Sequence, residues 1–342
     1  MSTTTETAPA PTAARLAQQR SFWQRTNKAT LVMAAVTLGV FVFFAVADEN
    51  FLTFANISNL ATQVGPVLIV GVAMTFVITA GQIDLSVGSI VAFTAAISAQ
   101  LLGAGWDSSL VLLAGLAMGL GWGLVNGWFT AYQGIPAFIV TLATLSVVRG
   151  LALFQTEGFS VPIASTTFFA RLGTARWLGF SATAWISLVV VVLGVVLLHH
   201  TRFGQYVIGI GAASESVRRA GVDVRRVTMA ALGFSGLAAG LAGLLIAARL
   251  GSGSANSARG FELTVIAAVV LGGTSLLGGR GTIVGTVIGA VLTGIIANGL
   301  TLLSVSPYLT PIITGAVLVL VVWINLRGRD LGFLLTRLTR RT

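Results

Sequence analysis

The 342-residue sequence contains no cysteine and only two histidines. Without cysteine there can be no disulfide framework, no thiolate nucleophile and no cysteine metal site. His199 and His200 are adjacent, with no HExxH motif and no nearby carboxylate, so we predict neither a metal site nor a catalytic triad. Residues 273–280 are rich in glycine but lack the Lys-Ser/Thr pair of a phosphate-binding loop. We therefore expect the chain not to be an enzyme and to have no ATPase site of its own.

Charged residues are also scarce, at 9% of the chain against 55% hydrophobic residues, and the mean hydropathy is +0.93. This composition excludes a soluble globular domain and predicts an all-α polytopic membrane protein. The net charge of +10 comes from 20 basic residues, of which 19 are arginine, and 10 acidic ones. The arginines are scattered between apolar runs without an aromatic-basic stripe, so they indicate membrane topology, and we expect no nucleic-acid partner.

Apolar runs of about the 20 residues needed to cross a bilayer recur along the chain. They predict about ten transmembrane helices, near residues 30–47, 58–80, 85–104, 109–132, 135–154, 181–199, 228–248, 263–279, 282–303 and 308–325. Basic residues cluster before the first span, after the sixth and after the last: Arg15, Arg20, Arg25 and Lys28; Arg202, Arg218, Arg219, Arg225 and Arg226; Arg327, Arg329, Arg337, Arg340 and Arg341. Because basic residues favour the cytoplasmic side, both termini are predicted to be cytoplasmic.

The domain organisation follows from these runs. Residues 1–29 are rich in Ala, Thr and Pro and have almost no large apolar side chains, so we predict a disordered cytoplasmic tail. The transmembrane domain then covers 30–326, with a cytoplasmic loop at 202–227, and a basic cytoplasmic tail follows at 327–342. An A-x-A triplet at 45–47 imitates a signal-peptide cleavage site, but the long basic region before it and the multispan body favour a retained first helix.

The segment GQIDLSVGS at 81–89 places a carboxylate, Asp84, between two apolar runs that could each enter the bilayer. A charge at the centre of a membrane helix costs roughly 2.5–3.5 kcal/mol, so such residues tend to face a bundle interior, a cavity or an aqueous boundary. Asp84 either lines a transport pathway or braces a re-entrant turn by accepting backbone N–H bonds, and the sequence leaves both open. The flanking Gly81 and Gly88 indicate a helix broken near the membrane, where transporters commonly form substrate sites.

Other polar residues inside the predicted spans are few. The candidates for a transport pathway are Gln82, Asp84, Ser86, Asn126 and Asn298. Asn and Gln in membrane helices also hydrogen-bond across helices, with an average of about 0.6 kcal/mol, so packing is at least an equal alternative for Asn126 and Asn298. Glu262 lies at a predicted helix start, where a carboxylate is stabilised by exposed N–H groups, and we expect it to have a capping role.

Glycine is abundant, with 41 residues. Two sets recur every fourth residue and would each line one helix face: Gly115, Gly119, Gly123 and Gly127 in the first, and Gly281, Gly285 and Gly289 in the second. Small residues at this spacing let helix backbones approach closely. We therefore predict tight helix packing at both faces rather than a direct role in a transport pathway.

Several sequence blocks carry a family resemblance over most of the chain. After GQIDLSVGS come GIPAFIVTLATLSVVRGLALF at 134–154, RFGQYVIGIGAASESVRRAGVDVRRV at 202–227 and a long block at 248–300 that begins ARLGSGSANSARGFELTVIAAVVLGGTSLLGGRG. In this order they resemble the simple-sugar permease family, the membrane subunits of bacterial ABC importers for ribose, xylose and related compounds. The resemblance implies a multi-pass protein of the bacterial cytoplasmic (inner) membrane.

The resemblance also implies partners. Permeases of this kind work as a pair in the lipid bilayer, so a homodimer is expected. Cytoplasmic ATP-binding subunits and an extracytoplasmic substrate-binding protein would complete the importer. ATP and Mg would be used by the partner ATPase, and no cofactor would be bound by this chain.

The cytoplasmic block holds a charged segment that would couple the chain to that ATPase. The candidate coupling residues are Gly211, Glu215, Arg218, Arg219 and Gly221. Glu215 precedes the two arginines by three and four residues, the spacing of helical ion pairs, and Gly221 is placed to stop the helix. The family usually has Glu-Ala-Ala where this chain has Glu-Ser-Val at 215–217, a departure that concerns the fine fit to the ATPase. Without the resemblance, such a helix is more often a solvated connector.

Two functional classes follow. The leading prediction is the permease subunit of an ATP-driven importer, which translocates a small polar solute, above all a monosaccharide, by alternating access powered by a separate ATPase. The alternative is an ion-coupled secondary transporter, for which Asp84 is the sole convincing carboxylate at depth. A membrane scaffold without transport would give no reason for a carboxylate beside broken helices.

Overall fold

The structure is a computed structural model that describes residues 30–306, 308–309, 312–313, 315–316 and 319. Both predicted tails and most of the tenth predicted span lie outside the described residues. The described helices are α1 (Thr30–Ala47), α2 (Phe54–Thr79), α3 (Val87–Gly103), α4 (Ser108–Ala131), α5 (Ala137–Thr156), α6 (Phe168–Thr174), α7 (Ala182–His200), α8 (Arg202–Arg219), α9 (Val224–Leu250), α10 (Phe261–Leu271) and α11 (Ile283–Leu302). The described strands are β1 (Ser160–Pro162), β2 (Arg176–Trp177), β3 (Phe180–Ser181) and β4 (Ser252–Ser254).

Seven of the described helices are long and apolar enough to cross a membrane: α1, α2, α4, α5, α7, α9 and α11. They confirm the prediction of a helical membrane protein. Helices α3 and α10 are apolar but shorter, with 17 and 11 residues. The predicted span at 263–279 is wrong at its C-terminal end, because α10 stops at Leu271 and residues 272–282 are not helical. The count of ten and the side on which each terminus lies stay predictions.

Helices α2 and α9 form the centre of the bundle. Helix α2 is buried along most of its length and packs against α7, α9, α10 and α11. Helix α9 packs against α2, α3 and α4. Apolar side chains of both helices, such as Met74, Val77 and Leu232, are fully buried between them and α3. The short helix α3 is therefore enclosed, and its N-terminal end lies within the protein rather than at the bundle surface.

Helix α4 meets α9 along its glycine face, which consists of Gly115, Gly119, Gly123 and Gly127. A Cβ atom on Gly119 would lie 2.8 Å from the Cα of Gly240, and one on Gly123 would lie 3.0 Å from the Cα of Gly233. Real Cβ atoms do not pack against backbone at such distances. The absence of side chains thus sets how closely these two helices approach.

The second glycine set is not a single helix face. Gly285 and Gly289 lie on α11 and face the backbone of α10 and the turn after it. However, α11 begins at Ile283, so Gly281 precedes the helix and lies against Thr79 at the end of α2. The expectation of three glycines on one face was wrong, because a four-residue spacing does not show where a helix begins.

Residues 251–260 join α9 to α10 along a path that enters the bundle. Strand β4 pairs antiparallel with β1 at one end of the protein. Gly253 then lies against the backbone of Ala95 in the middle of α3, and the carbonyl of Ala258 is 3.0 Å from the Cβ position of Gly88 in its first turn. This segment therefore follows α3 inward, and α10 begins inside the bundle.

Candidate functional site

The break between α2 and α3 is a turn held by Asp84. After α2 ends, Gly81 has a positive φ of 76°, a backbone conformation that glycine adopts without strain. The Oδ1 atom of Asp84 accepts a bond from the Ser86 N–H at 2.9 Å and one from the Ser86 hydroxyl at 2.6 Å. A side chain that bonds the backbone two residues on is the usual way in which aspartate stabilises a turn. The bracing alternative for Asp84 thus has a direct structural basis.

The same carboxylate has a second oxygen with a different environment. Asp84 is 0% exposed, and its Oδ2 atom has no hydrogen-bond partner among the described residues. The Ser235 hydroxyl of α9 lies near enough to interact with this carboxylate. Among the described residues, however, it makes no hydrogen bond of normal geometry. Because an unpaired buried polar atom is costly, Oδ2 needs a hydrogen-bond donor, and the Ser235 hydroxyl is the nearest one that the structure indicates.

Ser86 continues the polar contacts to two further helices. The Asn126 side chain on α4 donates from Nδ2 to the Ser86 hydroxyl at 2.9 Å. The Thr144 hydroxyl on α5 donates to Asn126 Oδ1 at 2.6 Å. All of these side chains are buried. We call Asp84, Ser86, Asn126 and Thr144 the polar cluster; it joins the broken segment, α4 and α5 through one chain of hydrogen bonds.

The polar cluster unites three of the five candidates that the sequence indicated. Gln82 lies in the same turn, half-buried, and its N–H donates to Val77 O at 3.0 Å. Thr144 was missed, although a threonine within an apolar span was a visible signal. Ser235 was missed as well, because nothing in the sequence places that part of α9 beside the turn.

Asn298 lies apart from the polar cluster. It exchanges two side-chain hydrogen bonds with Asn56 of α2, at 3.0 and 2.9 Å, and both residues are buried. Asn56 also donates to Phe51 O at 2.9 Å. The geometry therefore gives Asn298 the packing role that was one of its two alternatives. Its partner is 242 residues away in the sequence, so only the fold could identify it.

A second polar site lies where α10 begins. Helix α10 follows Gly260, and Glu262 is in its first turn, as expected for a carboxylate at a helix start. Its carboxylate occupies the place that a side chain on Gly88 of α3 would take. The Oε2 atom is buried and has no hydrogen-bond partner within the described ranges. Among the described residues no side-chain hydrogen bond positions Glu262. Its carboxylate fits beside α3 because Gly88 has no side chain, and it lies in the first turn of α10, where the helix dipole favours a negative charge.

Arg149 of α5 stabilises the segment that leads to this site. Its guanidinium donates from Nη1 to Ala255 O at 2.7 Å and to Ser257 O at 2.8 Å. The Glu262 carboxylate is near enough to interact electrostatically with it. Nothing in the sequence near Arg149 indicates this contact. The structure gives Arg149 a specific contact, which ties α5 to the segment that enters the bundle.

The charged part of α8 has the predicted helical ion pairs. Glu215 contacts Arg218 at 2.6 Å and Arg219 at 3.1 Å, with all three side chains well exposed. The helix ends at Arg219, and Gly221 has a positive φ of 85°. Ala213 interrupts the helix with φ −162° and ψ 76°, so the charged turn is set at an angle to the rest of α8. Such exposed pairs contribute at most about 1 kcal/mol to stability. Because the three side chains are exposed, a partner protein can contact their charges.

Helix α8 reaches the Asp84 turn through backbone contacts. A Cβ atom on Gly211 of α8 would collide with Thr79 O at the end of α2, and Gly81 faces the same glycine. The loop between α10 and α11 meets both, because Gly279 N–H donates to Thr79 O at 2.8 Å and the Cβ position of Gly278 is 3.0 Å from the Cα of Gly81. We call this meeting of three segments the glycine junction.

Comparison with known proteins gives a consistent result. Residues 56–322 match the family described as branched-chain amino acid transport system / permease component. The chain is 38% identical over 305 residues to the ribose import permease protein RbsC of Escherichia coli strain K12, which covers 87% of this chain and 95% of that protein. It is 37% identical over 319 residues to the L-arabinose ABC transporter permease protein AraH of Azospirillum brasilense, with 92% and 93% covered. It is 38% identical over 292 residues to RbsC of Bacillus subtilis strain 168, with 84% and 91% covered. No solved structure gives a significant match.

A bundle of membrane-length helices around a buried polar cluster defines a multi-pass membrane protein suited to transport. The chain belongs to the family of transport-system permease components. The resemblance to ABC-importer permeases is confirmed by the relatives, and the chain is accordingly a permease subunit of the bacterial inner membrane.

Proposed function

We propose that this chain translocates a monosaccharide by alternating access, with energy from a separate ATPase subunit that uses ATP and Mg. The observation that carries the proposal is the identity of 37–38% over at least 84% of the chain to permeases named for ribose and arabinose. Ribose and arabinose are both pentoses, so pentoses are the first class of solute to test. The chain itself would carry out no chemical step.

The polar cluster supports this proposal because its chemistry suits a sugar. Sugar hydroxyl groups both donate and accept hydrogen bonds, and the cluster holds a carboxylate, an amide and hydroxyl groups in one place. It also adjoins an interrupted helix, where transporters commonly bind their substrates. The alternative, an ion-coupled secondary transporter that uses Asp84, shares this geometry but not the identity to ABC permeases.

The proposed partners are a second copy of this permease, cytoplasmic ATP-binding subunits and an extracytoplasmic substrate-binding protein. The glycine junction supports coupling to the ATPase, since α8 presents exposed charges at one end and touches the Asp84 turn with its backbone. Movement of the charged turn would thus be passed to the turn that holds the polar cluster.

Reconstitution in proteoliposomes tests the proposed function. We expect uptake of labelled ribose, arabinose or xylose only when the permease is combined with its ATPase, its binding protein and ATP. The matched controls are the permease alone, and the complete system with a non-hydrolysable ATP analogue. Uptake by the permease alone under a proton or sodium gradient would replace the proposal with the ion-coupled alternative.

Charge reversal at Glu215 tests the coupling role of α8. We expect Glu215→Arg to lower co-purification of the ATPase subunit at least fivefold, because it removes both ion pairs and adds a third positive charge to the exposed turn. The loss of helix stability should be small, about 0.5 kcal/mol per pair. Membrane abundance and thermal unfolding in detergent would verify this.

A matched control for Glu215 is Asp223→Arg, which breaks the exposed pair of Asp223 with Arg226 at 2.9 Å outside α8. This variant also loses the Asp223 side-chain cap of α9, so it tests whether general loss of exposed charge pairs is enough. Equal loss of the ATPase from both variants, or from neither, would contradict a specific role for Glu215.

A further inference from the structure

The end of the bundle opposite α8 contains a cavity of about 300 Å³ between α2, α6, β3 and α9. Its lining includes Asn59, Thr62, Ser181 and two arginines, Arg176 and Arg249, and no acidic residue. A cavity with two guanidinium groups and no carboxylate is chemically matched to an anion. The Asn59 side-chain amide adds a neutral donor for the same ligand, whereas the Thr62 and Ser181 hydroxyls bond each other at 2.8 Å and Thr62 donates to Ser58 O.

The two arginines differ in how they are held. Arg176 donates from Nη1 to Ser58 Oγ at 3.1 Å and to Gly179 O at 3.4 Å, and from Nη2 to Asn59 Oδ1 at 3.4 Å, which fixes its guanidinium beside α2. Arg249, in the last turn of α9, makes no hydrogen bond or ion pair within the part of the chain that the structure describes. The site therefore combines one positioned guanidinium with one that is free to bind, and neither positive charge is neutralised by a described carboxylate.

Aromatic side chains cluster on the β2–β3 hairpin, whose Arg176 and Ser181 line this cavity. Trp177 follows Arg176 directly and is 65% exposed, and its ring lies 4.8 Å from that of Trp185. Phe54 is 59% exposed and contacts Phe180 edge to face at 5.5 Å. Exposed tryptophan in a membrane protein is typical of the level of the lipid headgroups. This places the arginines where the phosphates of a bilayer lie.

An exposed apolar stripe continues from the cavity along α7. Ser181, the N-cap of α7, lines the cavity, and Leu188, Val189 and Val192 on the following turns are each more than half exposed. An anion that is soluble in water would make no use of this stripe. A phospholipid would fill the cavity with its phosphate and cover the stripe with its acyl chains.

We propose that this cavity binds the headgroup phosphate of an anionic phospholipid, with Arg176 and Arg249 as its cationic ligands and α7 as the surface for its acyl chains. The proposal does not depend on the solute that the permease carries. Arginine suits this role because its planar guanidinium can bond two phosphate oxygens at once. Lipid bound here would fix the position of α9 relative to the β2–β3 hairpin.

Titration of the purified full chain with dioleoyl phosphatidylglycerol, followed by native mass spectrometry, tests the proposal. We expect Arg249→Gln to weaken binding of the first lipid about tenfold, the effect of losing one charged hydrogen-bonding group. Arg249→Lys keeps the charge but cannot bond two phosphate oxygens in one plane, so its affinity should lie between those of the wild type and Arg249→Gln. The matched control is Arg259→Gln, which removes an exposed arginine that bonds Asn256 and does not line the cavity; its lipid affinity should equal that of the wild type.

Three results would overturn the proposal. Equal lipid affinity in the wild type and Arg249→Gln would remove the cavity as a lipid site. Displacement of the lipid by millimolar inorganic phosphate, with equal binding of phosphate in lipid-free detergent, would identify a site for a free anion. Unchanged lipid affinity together with lost uptake in the complete importer would assign Arg249 to docking of an acidic partner. Because Arg249 makes no described internal bond, Arg249→Gln should fold, and its melting temperature checks this.

Discussion

Replacing Gly119 with leucine should prevent the correct packing of α4 on α9 and greatly reduce the yield of folded protein. The Cβ atom alone would lie 2.8 Å from the Cα of Gly240 and closer still to the Gly236 carbonyl. These are backbone atoms, so no rotamer change can relieve the collision, and the helices must separate. Overpacking of a core costs about 1–3 kcal/mol even where side chains can move, and we expect the upper end of this range or more. Thermal unfolding in detergent and membrane abundance measure the effect.

Gly121→Leu is the matched control for this prediction. Gly121 lies on the same helix two residues away, and a Cβ atom there would meet nothing within 4 Å. The two variants add the same side chain to the same helix, so they differ only in what the side chain contacts. Gly121→Leu should unfold at the wild-type temperature or above it, because leucine favours a helix over glycine by up to about 1 kcal/mol. Wild-type stability of Gly119→Leu would contradict the described α4–α9 contact.

Substitution of Asp84 should have the largest effect on transport. Asp84→Leu removes the acceptor for both Ser86 donors and leaves the buried start of α3 unsatisfied, at about 1.5–3 kcal/mol for each bond to a charged group. We therefore expect loss of folded protein. Asp84→Asn keeps an acceptor oxygen for Ser86 but removes the charge and replaces the second oxygen with a donor. This variant should insert and assemble, and its uptake should fall at least tenfold.

The control for Asp84 is Asp107→Asn, measured in the same complete importer. Asp107 also accepts a bond from the N–H two residues later, Ser109 at 2.8 Å, but it is exposed at the start of α4. This variant should keep wild-type uptake, which would show that an aspartate-to-asparagine change in a capping turn is harmless by itself. Wild-type uptake by Asp84→Asn at normal membrane abundance would leave Asp84 with the bracing role alone.

Local features of the site could be predicted from the sequence, because they depend on neighbouring residues. Asp84 between two apolar runs, with Gly81 before it, was enough to indicate a broken helix, although Gly88, the second glycine of that prediction, lies inside α3. The four-residue spacing of Gly119 and its neighbours was enough to indicate close packing. The ion pairs of Glu215 follow from spacing along one helix. In each case the signal lies in residues close together in the sequence, although the helix that packs on the glycine face of α4 is the distant α9.

Features that depend on distant parts of the chain could not be predicted. The contact of Asn298 with Asn56, and that of Arg149 with residues 255–257, join segments more than 100 residues apart. The end of α10 was predicted too late because residues 272–279 contain no charged residue. Hydropathy measures composition and does not report the path of the backbone. Glycines with positive φ at 273, 278 and 279 are what turn the chain there.

The glycine junction has a consequence for how substrate preference can change between relatives. Thr79, Gly211 and Gly279 meet through main-chain atoms, so α8 and the Asp84 turn touch without an intervening side chain. Under the proposed function, substitutions at Ser86, Asn126 or Thr144 change the surroundings of the solute and leave this main-chain contact as it is. In such a permease the solute that is transported can change while the main-chain contact proposed to couple it to the ATPase subunit stays the same.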